Sequence, residues 1–520
     1  MGDADIDRAR LLATSDEETE GETETSTSSR AEIARQASIA APVSVSMLSN
    51  RARDLMSIAF VGHASSRGAF DLAGAALACT LANVTGLSLI VGMASAVNTL
   101  AGQSFGRGEF AEVGATARRA CAILFSVSAI ISVIWVCETE NILVALGQPR
   151  GIAHAAAVYV KGLTPGLFAY SANACVQAFL QSQAVTRPQA IGGVLATIFH
   201  APMNWFLMYY CKLGVVGAAL ATSMSTTTVL TVNVAYITIW RKWCRERDET
   251  LAKKRDACAH VPRGWLRDVF DVDGAKEFLA LGLPGIVLMS EWWASELLIL
   301  FAGYLPQPDA AVAAMSIYQV TNAFAFMIAV GFGVAAVTRV SHELGKGNAR
   351  QAKYSSTVAL RLIVVVEIVV SALVFFSRKT WGCLFTKDTD VTDLLSKLMV
   401  PLAFYVAFDA LCCVSTSILR GCGRQSVAAP IVVFAYYCVG IPSALVLAFK
   451  TSLGAMGLAI GGTIGTATHA FAMCAVAAKL DWNAEVARAR VSRRPTSVAD
   501  IEHDDDTLLP PHVGGDDASL

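Results

Sequence analysis

Residues 282–303 read GLPGIVLMSEWWASELLILFAG. The stretch is long and apolar enough to cross a bilayer as a helix, which takes roughly 20 residues. Yet it holds two carboxylates, Glu291 and Glu296, and a tryptophan pair, Trp292 and Trp293. A charged side chain deep in hydrocarbon costs about 3 kcal/mol or more, so such acids face a protein interior or a wet cavity. Five residues along a helix is a rotation of about 140°, so Glu291 and Glu296 address different surroundings. A second intrusion is Asp409, in PLAFYVAFDALCCVSTSIL at 401–419. An idle acid is expensive at either place, and both read as working groups.

Working outward, the rest of the chain is of the same kind. It has 520 residues, 54% hydrophobic and only 16% charged, against about 25% charged in a soluble domain. Its mean hydropathy is +0.51. The net charge of −1 conceals an asymmetry: the apolar runs are nearly free of charge, and the tails and one central loop are dense in it. Spans follow at roughly 74–103, 120–137, 155–180, 190–210 and 215–239, then near 278–304, 312–338, 357–377, 398–419, 428–449 and 455–479. A first span at 33–63 is interrupted by Asn50, Arg51, Arg53 and Asp54, and reads as broken, tilted or late-starting. About twelve membrane helices are expected, an all-α integral membrane fold.

The segments outside the spans set boundaries and orientation. Residues 1–32 are acidic and hydroxyl-rich and read as a disordered tail; so does 481–520. Residues 240–276, with WRKWCRERDETLAKKRDA, form a basic linker between an N-terminal bundle, 33–239, and a C-terminal bundle, 277–480. Lys and Arg concentrate in this linker and in the loops after even-numbered spans. The positive-inside rule therefore makes those loops and both termini cytoplasmic. Attraction of the linker to anionic lipid outweighs nucleic-acid binding as its reading.

The two bundles repeat each other. GMASAVNTLAGQSFGRG at 92–108 matches GFGVAAVTRVSHELGKG at 331–347 through Gly92, Gly106 and Gly108 against Gly331, Gly345 and Gly347. GVVGAALATSMS at 214–225 matches GAMGLAIGGTIG at 454–465 through Gly214 and Gly217 against Gly454 and Gly457. Both offsets are near 240 residues, the constant period of a duplication. Six spans separate equivalent points, so the halves share one orientation about an axis along the membrane normal, and a cleft lies between them.

These residues resemble the multidrug and toxic compound extrusion (MATE) transporters in their eukaryotic branch. The resemblance runs over about 60–465, through FVGH at 60–63, LANVTGLSLIVGMASAVNTLAGQSFG at 81–106, FLQSQAVTRPQ at 179–189 and GVVGAALAT at 214–222. In the second half it includes EWWASE at 291–296, FMIAVGFGVAAVTRVSHELGKGN at 326–348, ILRGCGRQ at 418–425 and YYCVGIP at 436–442. It implies two six-helix bundles and export of organic solutes in exchange for H⁺ or, as the alternative, Na⁺. It also implies that Glu291 and Asp409 couple ion to substrate, with Glu296 as an additional acid of some members. Two departures stand. Where some animal members have a carboxylate on the eighth span, this chain has Tyr318 and Gln319. Asp54 lies about one turn too early, relative to Gly62, to match the first-span aspartate of bacterial members.

Further cleft candidates are Trp292, whose face suits a cationic or planar organic solute, with Tyr318, Gln319, Asn322, Asn83, Thr85 and Gln181. For the polar ones, hydrogen bonding between helices is an equal competitor. A lipid-linked flippase of similar build would call for an arginine cluster in the cleft. A major-facilitator transporter would carry an Asp-Arg/Lys-Gly-Arg/Lys loop where this chain has GQSFGRGEFAEVG. An integral-membrane enzyme would need a nucleophile or metal constellation, and neither the 8 histidines nor the 13 cysteines are spaced as one. No cofactor, metal or nucleic acid is called for, and the chain reads as a monomer of the plasma or vacuolar membrane.

Overall fold

The computed structural model describes residues 3–64, 69–245, 268–306 and 308–491. Twelve long helices dominate: α1 Asp3–Ala64, α2 Asp71–Arg107, α3 Phe110–Cys137, α4 Arg150–Gln181, α5 Arg187–Tyr210 and α6 Gly214–Arg245 come first. Then follow α7 Val272–Ala302, α8 Pro308–Gly345, α9 Ala349–Ser377, α10 Thr389–Gly421, α11 Gln425–Phe449 and α12 Ala455–Ala478. A short α13, Trp482–Val491, follows. Ten of the twelve, all but α1 and α4, are long and apolar enough to cross a membrane by composition alone. Outward faces are apolar, as hydrocarbon requires: Ile130 and Val133 on α3, Ile198 and Phe199 on α5, and Ile368 and Val369 on α9 are exposed.

Two sequence expectations change here. The backbone is helical from Asp3, where acidic composition suggested no regular structure; Ala, Glu and Arg are good helix formers. Glu32, assigned to that tail, is instead 1% exposed and packed in the bundle. The tail after 480 also begins with structure, since α13 packs Trp482, Val486 and Ala489 into the second-half core. Most of the basic linker lies outside the described residues. Its far end is anchored, with Arg118 bound to Asp268 at 2.5 Å and Arg119 to Asp271 at 2.9 Å.

The helices form two bundles, α1–α6 and α7–α12, and the contacts between them are paired. Gly92 of α2 lies against the backbone of Gly285 and Ile286 in α7; its equivalent Gly331 in α8 lies against Ala40 and Ser44 in α1. Thr99 Oγ donates to the Arg420 carbonyl at 2.7 Å, and Thr338 Oγ to the Gln181 carbonyl at 3.1 Å. Gln103 Nε2 donates to the Gly421 carbonyl at 3.1 Å, and His342 Nε2 lies 2.6 Å from the Ser182 carbonyl. Donors and acceptors alike are related by the same offset of 239 residues. On the axis itself, equivalent residues meet: Gly106 and Gly345 pack backbone to backbone. These contacts hold the two bundles closed against each other at one end, where Gly108 and Gly347 cap α2 and α8 at φ of 84° and 80°.

A second lock reinforces this end. Arg339 on α8 donates two hydrogen bonds of 2.9 Å to Glu32 on α1. It also pairs with Glu343 at 3.1 Å, which in turn pairs with Lys346 at 2.9 Å. α13 adds a strap: Glu485 binds Arg424 at 2.6 Å and Arg107 donates to the Ala489 carbonyl at 3.0 Å. Arg424 lies between spans, and the hydrogen bond to Glu485 pushes its pKa above the usual arginine value.

Candidate functional site

The seventh span is not one continuous helix. The helix Val272–Leu288 runs through Pro284 and ends at Met289, before Ser290–Ala302 begins. The break falls two residues before Glu291. The Tyr437 hydroxyl, on the π-helical segment Phe434–Gly440 of α11, donates to the Ser290 carbonyl at 3.0 Å and braces the new helix start. Irregular turns of this kind recur at functional sites because they re-aim side chains.

Beyond the break, Glu291 and Asp409 come together. Asp409 is 3% exposed, and its carboxyl meets that of Glu291 and the side chain of Asn322. His469 on α12 stands 3.8 Å from Glu291. Tyr436 Oη is 3.4 Å from His469 Nδ1 and accepts from Thr466 at 3.3 Å. Thr416 Oγ is 3.4 Å from His469 Nε2. Asp409 Oδ1 and Asn322 Oδ1 have no hydrogen-bond partner among the described residues, so this network retains unused acceptor capacity. Tyr318 is buried beside Asp409 and meets Tyr405 edge to face at 6.3 Å. The adjoining cavity, lined by Ser295, Tyr405 and Tyr436, is about 10 Å³, room for a single water. Asp409 is thus closed in by packing, while Glu291 beside it keeps 14% of its side chain exposed.

Glu296 looks elsewhere, as its spacing requires. Half-buried, it feels the charge of Arg51 in the first bundle. Arg51 pairs with Asp54 at 3.6 Å, and both remain substantially exposed, at 37% and 52%. Arg53 is buried instead, donating to the Gly193 carbonyl at 3.1 Å, to Thr197 at 3.3 Å and to Asn50. Beneath it, Ser57, His200 and Ser225 form a chain with both links at 2.8 Å. The charges that interrupted the first span are accounted for by an exposed ion pair and by this buried network.

The remaining candidates divide. Gln319 donates to Ser295 at 3.1 Å, so it stays beside the broken helix. Trp292 meets Phe326 edge to face at 6.5 Å, and Trp293 reaches across to Ser88 at 3.3 Å. Asn83 opens a π-helical turn, Asn83–Leu87, and is half-buried. Thr85 is spent on packing: it donates to the Leu81 carbonyl at 2.7 Å and accepts from Trp135 Nε1 at 2.9 Å. Gln181 is buried, bound to Gln189 at 3.0 Å, and its carbonyl belongs to the closed end. Sequence reading passed over His469 and Tyr405, quoted Tyr436 only within a motif, and passed over Glu367. The last had a legible signal, a lone acid in the run VVVEIVV at 364–370.

Two parallel bundles around an axis, a broken seventh helix and paired acids behind it define a class of multi-pass membrane transporter. The MatE family model matches residues 42–206 and 285–446, one segment in each bundle, and the chain belongs to that family. It is 32% identical over 485 residues to Protein DETOXIFICATION 16 of Arabidopsis thaliana, covering 92% of this chain and 94% of that protein. It is 33% identical over 461 residues to Protein DETOXIFICATION 13 of the same plant, covering 88% and 91%. Among solved structures, that of the eukaryotic MATE transporter AtDTX14 superposes with a TM-score of 0.80 at 30% identity, over 89% of this chain and 99% of that one. An outward-facing multidrug resistance MATE transporter matches in fold with a TM-score of 0.76 at 15% identity, over 88% and 97%.

Proposed function

We propose that this transporter exports organic solutes, cationic or planar ones among them, in exchange for protons, and that Glu291 and Asp409 hold proton and substrate in turn. The observation that carries this is their juxtaposition inside the second bundle, behind the break at Met289. Two carboxyls in contact at low dielectric are stable when they share a proton, because two negative charges there repel. Opening toward an acidic side loads the proton; opening toward the other side releases it and restores a charge that attracts a cation. Each occupant lowers the affinity for the other, which is the reciprocity that exchange requires. Glu296, with Arg51 opposite, tunes the field at the mouth of the cleft.

In this reading the closed end, rich in Lys and Arg, is cytoplasmic together with both termini and the basic linker. The conformation is then outward-facing, and the exposed Arg51 and Asp54 line the open side. The protein works as a monomer in the plasma or vacuolar membrane. The test is flux in proteoliposomes with a fluorescent organic cation under an imposed pH gradient. Glu291→Gln and Asp409→Asn are expected to abolish pH-driven transport while folding normally, and Glu296→Gln to do less. Wild-type flux that follows a Na⁺ gradient and ignores pH would overturn proton coupling. Normal pH dependence in both amide variants would overturn the site.

A further inference from the structure

Helix α9 presents a clean division of faces. Val364, Val365, Ile368, Val369 and Leu373 are exposed, toward lipid. Ile363, Glu367 and Val374 are buried, on the face that packs against α8 and α10. The spacing is that of one stripe of a helix, and Glu367 is its one charged member. It is 2% exposed, and neither Oε1 nor Oε2 has a hydrogen-bond partner among the described residues. One turn further, Ser371 Oγ is buried and unpartnered as well.

Among the described residues no cation pairs with Glu367; Arg420, buried on α10, interacts with Cys413 further along that helix and not with Glu367. From α10 Glu367 faces Asp409 and Cys413, with which it interacts electrostatically. On α8 the nearest charged groups, Arg339 and Glu343, are committed to Glu32 and to each other at the closed end. α1 reaches α9 there too, where Gln36 donates to the Ser355 carbonyl at 2.9 Å. α13 meets α9 near Ala352, and its Glu485 is held by Arg424 and Arg488. On α9 itself Arg361 is exposed and points away. An ionised carboxylate with no donor and no counter-charge is the costliest arrangement a helix bundle can hold, and a neutral carboxylic acid escapes it.

We propose that Glu367 is a further proton-binding site, a third carboxyl set behind Asp409, so that the second bundle exchanges one more proton than the Glu291–Asp409 pair alone. In the closed packing seen here Glu367 is the protonated acid. Because it shares a field with Asp409, the two titrate as a unit. A proton arriving on Asp409 removes the negative charge that opposes ionisation of Glu367, and hydration of the site as the bundle rearranges lets Glu367 release its proton to water. The inference rests on the proton-coupled reading, and its test separates the two.

The test counts protons released by the purified full-length protein as the bulk is taken from acid to alkaline pH. This needs no substrate and no transport. Wild type is expected to release one proton per molecule more than Glu367→Gln. Glu367→Met, an apolar side chain of similar length that suits the stripe, is the second variant, in case the amide misfolds; it is expected to match the Gln variant. In proteoliposomes carrying a fluorescent quaternary ammonium dye, losing one coupled proton is expected to lower the limiting accumulation by about tenfold per pH unit of gradient, since each such unit is worth about 1.4 kcal/mol per proton. Equal proton counts in wild type and both variants would overturn the proposal, because Glu367 then never changes charge. Wild-type flux indifferent to pH, with the count still differing by one, would sink proton coupling and leave the Glu367 site standing.

Discussion

Gly345→Ala tests the closed end directly. A Cβ at this position would lie 2.9 Å from Gly106 Cα and 3.0 Å from the Gln103 carbonyl carbon, with the Gln103 carbonyl oxygen nearer still. All three are backbone atoms of a helix, so no side chain can rotate away, and α2 and α8 must separate. Overpacking of this kind costs about 1–3 kcal/mol. The cost falls on the closed arrangement, because the open one parts these helices. The ratio of open to closed molecules should then rise by roughly 5- to 150-fold, at a factor of ten per 1.4 kcal/mol. Spin labels carried by non-canonical residues at Ala111 and Arg350, both exposed and related by the internal repeat, report the separation of the two ends. The variant should gain a population at longer distance. Gly108→Ala is the control: its φ of +84° strains any side chain, but nothing lies within 4 Å, so it should lower stability by about 1 kcal/mol without moving the gate. A folded Gly345→Ala protein with the wild-type distance distribution would refute the reasoning.

Two further outcomes follow from stability alone. Glu32→Ala leaves Arg339 buried with only Glu343, and should cost about 3 kcal/mol, read as a marked fall in melting temperature, while adding Arg339→Met should recover much of it; a Glu32→Ala protein as stable as wild type would dismiss the lock. Ala184 sits at φ 59°, where its equivalent in the second half, Gly423, sits at 72°. Ala184→Gly should raise stability by roughly 0.5 kcal/mol, strain relieved less chain entropy lost, and Gly423→Ala should lower it by about 1 kcal/mol; a melting temperature that falls in Ala184→Gly would contradict this.

Much of the architecture was legible because a bilayer imposes it. Apolar runs of fixed length gave the spans, and the glycines of the repeat gave the relation between halves before any coordinates. Glu291 and Asp409 stood out as charges in hydrocarbon, and the rotation between Glu291 and Glu296 sets the two in different surroundings. What stayed hidden depends on neighbours far along the chain. Nothing local tells that Thr85 is claimed by Trp135, 50 residues on, or that Glu32 is claimed by Arg339, 307 residues on. The acidic composition around Glu32 masked it as tail. The break at Met289 was hidden by an apolar run that looks continuous. Glu367 was readable by the same rule that found Asp409, a lone acid in an apolar run.

The closed end also preserves a history. Gly106 and Gly345 meet, and Thr99 and Thr338, and Gln103 and His342, occupy equivalent places around them, as in a symmetric homodimer. In such a dimer every substitution strikes the interface twice, and the two partners change together. Joined in one chain, the halves are free of that constraint. Gln103 and His342 now make corresponding contacts with different chemistry, and Ala184 tolerates a conformation that its counterpart meets with glycine. The acid pair Glu291 and Asp409 is present in the second copy alone. On the proposed coupling, one half is the engine and the other its frame.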